Sequence, residues 1–179
     1  MLDKKRINEA ESNVRQYLDE GLLKKAFNET AKQMYVENSD ISLQTAKKLF
    51  EIEDADYKPY LWIIVASYYS MFYIANAVLI EFGYKVGAKI SHKVTADALI
   101  VFVRNKLKKE LLEDYEEAKG DALELISSKV DVLMQFFDFE LEKRSKFQYR
   151  MDEDIKRTKA LTSLERAKEF VFEMKKLLS

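Results

Sequence analysis

Cysteine is absent from the 179 residues of this chain, and histidine occurs once, as His92. The absence of cysteine excludes disulfides, thiolate metal sites and thiol catalysis, and it is compatible with a reducing cytoplasm. A single histidine excludes a multi-histidine metal site, and the sequence has no Glu-x-x-His pair that would suggest a di-iron bundle. A site made only of carboxylates stays open, and we expect a cytoplasmic protein without a bound metal or cofactor.

Glycine and proline are scarce as well, with four glycines and one proline. A chain with so few helix breakers, rich in leucine, alanine, glutamate and lysine, is expected to be all-α, and strand-type alternation is lacking. The length suits one domain with a single core. The formal net charge of -1 means that any nucleic-acid contact must be a local basic patch. The predicted fold is an up-and-down bundle of four to six helices.

Helical spacing and capping residues predict where the first helices begin and end. The first apolar stripe starts at Ile7 and continues past Gly21. Residues 37–40 (ENSD) interrupt this pattern, so Ser39 or Asp40 is expected to cap a short second helix.

The second half of the chain divides in the same way. Ser91 is expected to cap a helix. A charged stretch that ends at Gly120 precedes a separate long helix, which starts at Asp121. Thr162 and Glu165 have the spacing of a capping box, which predicts the start of the last helix.

Residues 60–80 (YLWIIVASYYSMFYIANAVLI) contain no charged side chain and are long enough to span a membrane. The segment also carries tyrosine, serine and asparagine, and the amphipathic helices around it need an apolar element to pack on. We therefore predict a core helix. Its aromatic residues are expected in the core and at a subunit interface rather than in base stacking. They are Tyr60, Trp62, Tyr68, Tyr69, Phe72 and Tyr73.

Three stretches, taken in order, resemble one family. Residues 66–85 (ASYYSMFYIANAVLIEFGYK) resemble the opening of the central helix of HEPN domains. Residues 91–102 (SHKVTADALIVF) resemble the Ser/Thr-His start of their next helix. Residues 142–150 (EKRSKFQYR), followed by 163–178 (SLERAKEFVFEMKKLL), are similar to the end of their fourth helix and to their closing helix.

The resemblance, which is closest to small archaeal and bacterial HEPN proteins, implies a helical bundle that forms a homodimer. Residues 1–179 would form one domain, in which residues 1–57 are an N-terminal extension with the first helices and residues 58–179 are the HEPN-like core. Many members of the family are metal-independent ribonucleases, often toxins paired with a minimal nucleotidyltransferase antitoxin. Others bind nucleotides or RNA without cutting.

The ribonuclease motif of the family is an arginine, four to six intervening residues and a histidine. Arg144 matches the arginine, but Tyr149 stands at the histidine position. A tyrosine with an ordinary pKa of about 10 is a poor base at neutral pH, although it can donate a hydrogen bond. Arg144 can still hold a phosphate, and Lys146 and Arg150 are expected to be further phosphate contacts.

A structural interpretation of the same segment stays open. Arg144 would pair with Glu140 one turn earlier, and Tyr149 would lie half in the core. Residues five apart point about 140° away from each other on an ideal helix, so the two converge only if the helix bends or the arginine wraps.

His92 also has two interpretations. It is either a substitute acid or base near Arg144, or a residue that braces the start of its helix with its ring bonded to a loop carbonyl. The second interpretation is favoured.

Three functional hypotheses follow. The first is a HEPN-type homodimer that binds RNA, a nucleotide or a protein partner in a toxin–antitoxin-type pair. The second is an active metal-independent endoribonuclease, with Arg144 and either Tyr149 or His92 as catalytic residues. The third and weakest is a helical protein anchored in a membrane by residues 60–80. The first is favoured because the motif lacks its histidine.

Overall fold

The fold is described from a computed structural model of the chain, which covers residues 3–52, 58–139 and 153–178. Within these ranges the chain forms six α-helices and one small antiparallel sheet of two strands, so the predicted all-α bundle is confirmed. In chain order the elements are α1 (Lys4–Asp19), β1 (Leu23–Lys25), α2 (Glu29–Phe50), α3 (Tyr60–Glu81), β2 (Tyr84–Val86), α4 (Ser91–Phe102), a 3₁₀ turn (Arg104–Lys106), α5 (Lys109–Phe139) and α6 (Glu153–Lys175).

Helix α3 occupies the centre of the bundle, where it packs against α2, α4, α5 and α6. Helix α2 runs antiparallel to α3. Near the start of α2, Lys32 Nζ lies 2.7 Å from Glu81 Oε2 at the end of α3, and further along α2 the Ser39 hydroxyl donates to the Ser70 carbonyl over 2.7 Å. By length and composition alone, α3 could cross a membrane, yet 78% of its most apolar 18-residue window is buried inside the bundle. It therefore occupies the position predicted for the core helix.

The N-terminal helices contribute to the same core as the rest of the chain. The Asp3 side chain caps α1 by accepting a hydrogen bond from the Arg6 backbone N–H over 2.8 Å, and α1 packs against α4. Val14 of α1 and Ala46 of α2 lie in one hydrophobic cluster with side chains of α3, α4, α5 and α6. The described part of residues 1–57 thus helps to form the core.

Two glycines lead the chain from helices into the sheet. Gly21 (φ 70°) follows α1 and Gly83 (φ 85°) follows α3, and both adopt the left-handed conformation that glycine tolerates best. Strands β1 and β2 then pair antiparallel, with Leu23 opposite Val86. The prediction that the first helix continues past Gly21 is wrong. The sheet was missed because three-residue strands are too short to show alternation.

Helix α2 is longer than predicted. Residues 37–40 do not interrupt it, and it is one unbroken helix with Asn28 as its N-cap. Ser39 is buried and bonds to α3, while Asp40 Oδ1 lies 2.5 Å from Lys175 Nζ of α6. The polar residues that suggested a break therefore make contacts between helices.

Three further predicted helix boundaries are wrong. Helix α5 passes through Gly120 without interruption, and Thr162 lies inside α6 rather than at its start. Ser91 is the first residue of α4 but not its cap, because Ile90 holds the N-cap position at φ 43° without a side-chain capping bond. Packing against neighbours extends α5 and α6 through sequence that would end an isolated helix.

Candidate functional site

Of the residues predicted to form the site, the structure describes one. His92 is the second residue of α4. The other four predicted residues lie outside the described ranges. They are Arg144, Lys146, Tyr149 and Arg150.

The His92 ring lies in a cluster of aromatic side chains from α3. Its Nδ1 is 2.7 Å from the Tyr68 hydroxyl. Its ring centroid lies 4.5 Å from that of Phe72, and Tyr69 packs edge-on at 5.8 Å. The expected bond to a loop carbonyl is replaced by this bond to a buried tyrosine of the core helix.

Burial sets the protonation states of this pair. Burial, together with the nearby positive charge of Lys119, lowers the pKa of His92 below its ordinary value. Burial raises the pKa of Tyr68 well above that of a free phenol. At neutral pH the site therefore contains an uncharged imidazole hydrogen-bonded to an uncharged phenol.

A second buried tyrosine lies behind the first. Tyr115 of α5 is 1% exposed, and its ring centroid is 6.1 Å from that of Tyr68. Its hydroxyl has no partner of full hydrogen-bond geometry among the described residues, but it interacts with the Tyr68 hydroxyl through a loose hydrogen bond. Most buried hydroxyls in folded proteins have a hydrogen-bond partner, so the loosely bonded Tyr115 hydroxyl is a distinctive feature of this site.

A chain of charged groups leads from His92 to α1. Lys119 Nζ lies 3.3 Å from Glu116 Oε2 on α5, and Arg6 Nη2 donates to Glu116 Oε1 over 2.9 Å. Arg6 Nη2 also lies 2.6 Å from Asp97 Oδ1, so that one guanidinium bridges two acids. The cations and anions alternate, which limits the net charge of this surface.

Asp97 is the buried end of this series of charged groups, and its side chain is only 1% exposed. Its Oδ2 accepts hydrogen bonds from Asn13 Nδ2 at 3.0 Å and from the Tyr17 hydroxyl at 2.9 Å. Burial and this carboxylate raise the pKa of Tyr17 far above its ordinary value, which keeps the phenol protonated as a donor. Because Asp97 belongs to α4 and its partners Asn13 and Tyr17 belong to α1, the network fixes α1 against the helix that carries His92.

One face of α3 beside His92 is not covered by the described residues. We call it the α3 stripe, and it consists of Trp62, Ala66, Tyr69 and Tyr73, which share a face by helical spacing. Trp62 is 60% exposed, and the other three are partly exposed. Tyr35 of α2 extends the aromatic surface, 6.2 Å from Tyr73. The prediction of core aromatics holds for Tyr68 and Phe72, which are buried.

The described residues limit the chemistry of this site. No group of three or more acidic or histidine side chains among them could hold a metal ion. The site offers an imidazole, phenol hydroxyls, a lysine and an aromatic surface. These groups suit hydrogen bonding to an oxygen acceptor and contact with a planar or apolar partner.

Sequence reasoning missed most of these neighbours. The prediction that Tyr68 is a core aromatic is correct, but nothing in its spacing indicates the bond to His92. Asp97 did carry a signal, because it is the one acid in the apolar run of α4 and an acid at such a position needs buried partners. Lys119, Glu116 and Arg6 carry no comparable signal, because they lie among many other charged residues.

A scan against protein-family models, a search of curated proteins and a search of solved structures each found no match to this chain. The class of protein that the fold defines is the all-α helical bundle.

Proposed function

We propose that the chain is a HEPN-type binding module that forms a homodimer, binds RNA or a nucleotide without cleaving it, and works with a minimal nucleotidyltransferase in a toxin–antitoxin-type pair. The order of the three family-like stretches supports this, as does an all-α bundle in which two of them form α3 and α4. The motif keeps Arg144 and has Tyr149 in place of the histidine, which favours binding over cleavage.

The observation that carries the proposal is the α3 stripe. It combines an exposed tryptophan with two partly exposed tyrosines and has no charged side chain. An uncharged aromatic face on a central helix is typical of an interaction surface. A second copy offers the same uncharged face, so a two-fold dimer would cover both stripes and leave a His92 ring at each edge.

The proposed ligand is an RNA strand or a nucleotide that is held through its phosphates. Arg144 would bind a phosphate bidentately, and Lys146 and Arg150 would add point contacts. A net charge of -1 over the whole chain restricts such binding to one basic segment. His92, with Lys119 close to it, would add a donor from α4.

Fluorescence anisotropy with a labelled single-stranded RNA tests this proposal. Wild-type protein is expected to bind, and Arg144→Ala is expected to weaken binding and to reduce the slope of affinity against salt by about 1. Lys143→Ala removes the same charge from the neighbouring position and should have the smaller effect. Equal losses in the two variants would mean non-specific attraction, and no binding by the wild type would refute the proposal for that RNA.

A second candidate function is a metal-independent endoribonuclease that uses Arg144 with Tyr149 or His92. The observation in its favour is an uncharged, partly exposed imidazole beside Lys119, since neutral histidine is the usual general base. Incubation of a labelled structured RNA with the protein in excess EDTA tests this function. Cleavage that is lost in Arg144→Ala would establish the nuclease, and intact RNA would favour the binding module.

The proposed compartment is the cytoplasm, where a nucleic-acid-binding dimer would work. Burial of most of α3 within the bundle supports this over a membrane anchor. Recovery of the protein in the membrane fraction, with release only by detergent, would contradict it.

A further inference from the structure

Two buried tyrosines lie next to one another beside His92: Tyr68 contacts the His92 ring, and Tyr115 contacts Tyr68. The Tyr68 hydroxyl lies 2.7 Å from Nδ1. The Tyr115 hydroxyl interacts with the Tyr68 hydroxyl through a loose hydrogen bond, and it has no partner of full hydrogen-bond geometry among the described residues. Both phenols stay protonated because burial raises their pKa values. Each therefore carries one hydrogen that needs an acceptor.

Counting the hydrogens on the His92 ring and on the two tyrosine hydroxyls favours one arrangement of their hydrogen bonds. If Nδ1–H donated to Tyr68, the Tyr68 hydrogen would turn towards Tyr115, and the Tyr115 hydrogen would be buried without an acceptor. If Tyr115 turns its hydrogen towards Tyr68 and Tyr68 donates to Nδ1, both hydroxyl hydrogens point at an acceptor. A buried donor without an acceptor is costly, so the second arrangement is the more stable.

We propose that Tyr68 holds His92 as the Nε2–H tautomer, and that this N–H donates a hydrogen bond to a phosphate oxygen of the bound ligand. The inference rests on the proposed function and names the group that meets the phosphate. Tyr68 acts as a positioning residue, because it sets which ring nitrogen carries the hydrogen without touching the ligand itself.

The surroundings of Nε2 suit this role. Within the part of the chain that the structure describes, no group forms a hydrogen bond with Nε2, and the residue is partly exposed. Lys119 acts on the ring electrostatically but is also paired with Glu116 at 3.3 Å, so its charge adds only modestly to the preference of the N–H donor for an anionic acceptor.

The same tautomer argues against His92 as a general base. A base at Nε2 must present a free lone pair there, whereas the proposed ring carries a hydrogen at Nε2 and uses its Nδ1 lone pair on Tyr68. The inference thus separates the two functional candidates at this residue.

The tautomer can be measured directly, because His92 is the only histidine. In protein labelled with ¹⁵N-histidine, the spectrum at neutral pH or above should show a pyrrole-like Nε2 and a pyridine-like Nδ1. Tyr68→Phe should allow the Nδ1–H tautomer to appear, and Tyr115→Phe should keep the Nε2–H form because Tyr68 still donates. A wild-type ring with its hydrogen on Nδ1 would overturn the proposal.

Ligand contact is tested on the same sample with inorganic phosphate and adenosine monophosphate as probes. Both should shift the Nε2 signal. His92→Leu should weaken binding of the nucleotide about tenfold, whereas His92→Gln, which keeps an N–H donor, should retain most of it. Unchanged affinity in His92→Leu would overturn the contact.

The two proposals fail in different ways. If RNA binds while the Nε2 signal stays unchanged with RNA and with both probes, this inference is wrong and the proposed function stands. If phosphate shifts Nε2 but no RNA binds, the donor role of His92 stands and RNA binding fails.

Discussion

At the scale of single residues, burial decides how the groups around His92 are charged. The ring lies against Phe72, Tyr68 and Tyr69, none of which stabilises a positive charge by forming an ion pair. The charged neighbour that acts on it is the cation Lys119. Both effects favour the neutral imidazole.

Lowering the pH is therefore expected to destabilise the fold through His92. Its pKa in the folded protein lies below the ordinary 6.5, so below pH 6.5 the unfolded chain binds the proton more tightly than the folded one. The stability contributed by neutral His92 is present above pH 6.5 and decreases as the pH falls from there towards the folded-state pKa. Urea denaturation on both sides of pH 6.5 measures this change, and His92→Gln should remove it. An NMR titration midpoint at or above 6.5 would contradict the prediction.

Asp97 provides a second prediction at the residue scale. Replacing it by asparagine removes the charge that Arg6 and Tyr17 face in a buried position. We expect Asp97→Asn to lower the free energy of unfolding by about 2–4 kcal/mol, because one of the two acceptor oxygens becomes an NH₂ donor and Arg6 loses its buried counter-charge.

Glu11→Gln is the matched control, because Glu11 also links α1 to the region of α4. Its ion pair with Arg104 is 3.3 Å long and partly exposed, so the loss should stay below about 1 kcal/mol. Urea denaturation of both variants measures the difference. Equal losses would mean that the buried network contributes no more than a surface pair.

At the scale of elements, two glycines show how position determines the effect of one substitution. Gly83 ends α3 at φ 85°, whereas Gly120 lies inside α5, and a Cβ atom would meet no other atom within 4 Å at either position. An added Cβ atom would clash with no neighbour at either position. The backbone conformation alone therefore decides how an alanine changes the stability.

Gly83→Ala should therefore destabilise the protein by about 1–2 kcal/mol, the cost of a left-handed alanine. Gly120→Ala should stabilise it by about 0.5–1 kcal/mol, because alanine favours the helix interior. Thermal or urea denaturation of the two variants should give effects of opposite sign. Stabilisation by Gly83→Ala would show that the turn after α3 does not need its left-handed residue.

At the scale of the whole molecule, the bundle is built around α3, which has no charged side chain at residues 60–80 and whose α3 stripe is not covered by the described residues. Trp62 on the α3 stripe and Phe172 on α6 are both highly exposed, at 60% and 62%. Only Trp62 belongs to the stripe, and Lys176 lies over the Phe172 ring at 4.2 Å. The two aromatics therefore differ in surroundings but not in exposure.

We expect light scattering after size exclusion to give twice the 21.0 kDa mass of one chain. Trp62→Lys should shift the protein towards the monomer, because it places a charge in the proposed interface. Phe172→Lys should leave the dimer intact. A monomeric wild type, or dissociation by Phe172→Lys alone, would contradict an interface at the α3 stripe.

The sequence by itself determined the all-α class and the place of residues 60–80 as the core helix, because composition and an uncharged helical run limit how a chain can bury its apolar surface. It did not determine where α2, α5 and α6 begin and end, because helices whose apolar faces pack in the core continue through Ser39, Gly120 and Thr162. Only the tertiary structure decided that His92 meets Tyr68 and that Arg6 meets Asp97. These pairs are far apart along the chain, and a hydrogen bond between distant residues leaves no periodic signal in a single sequence.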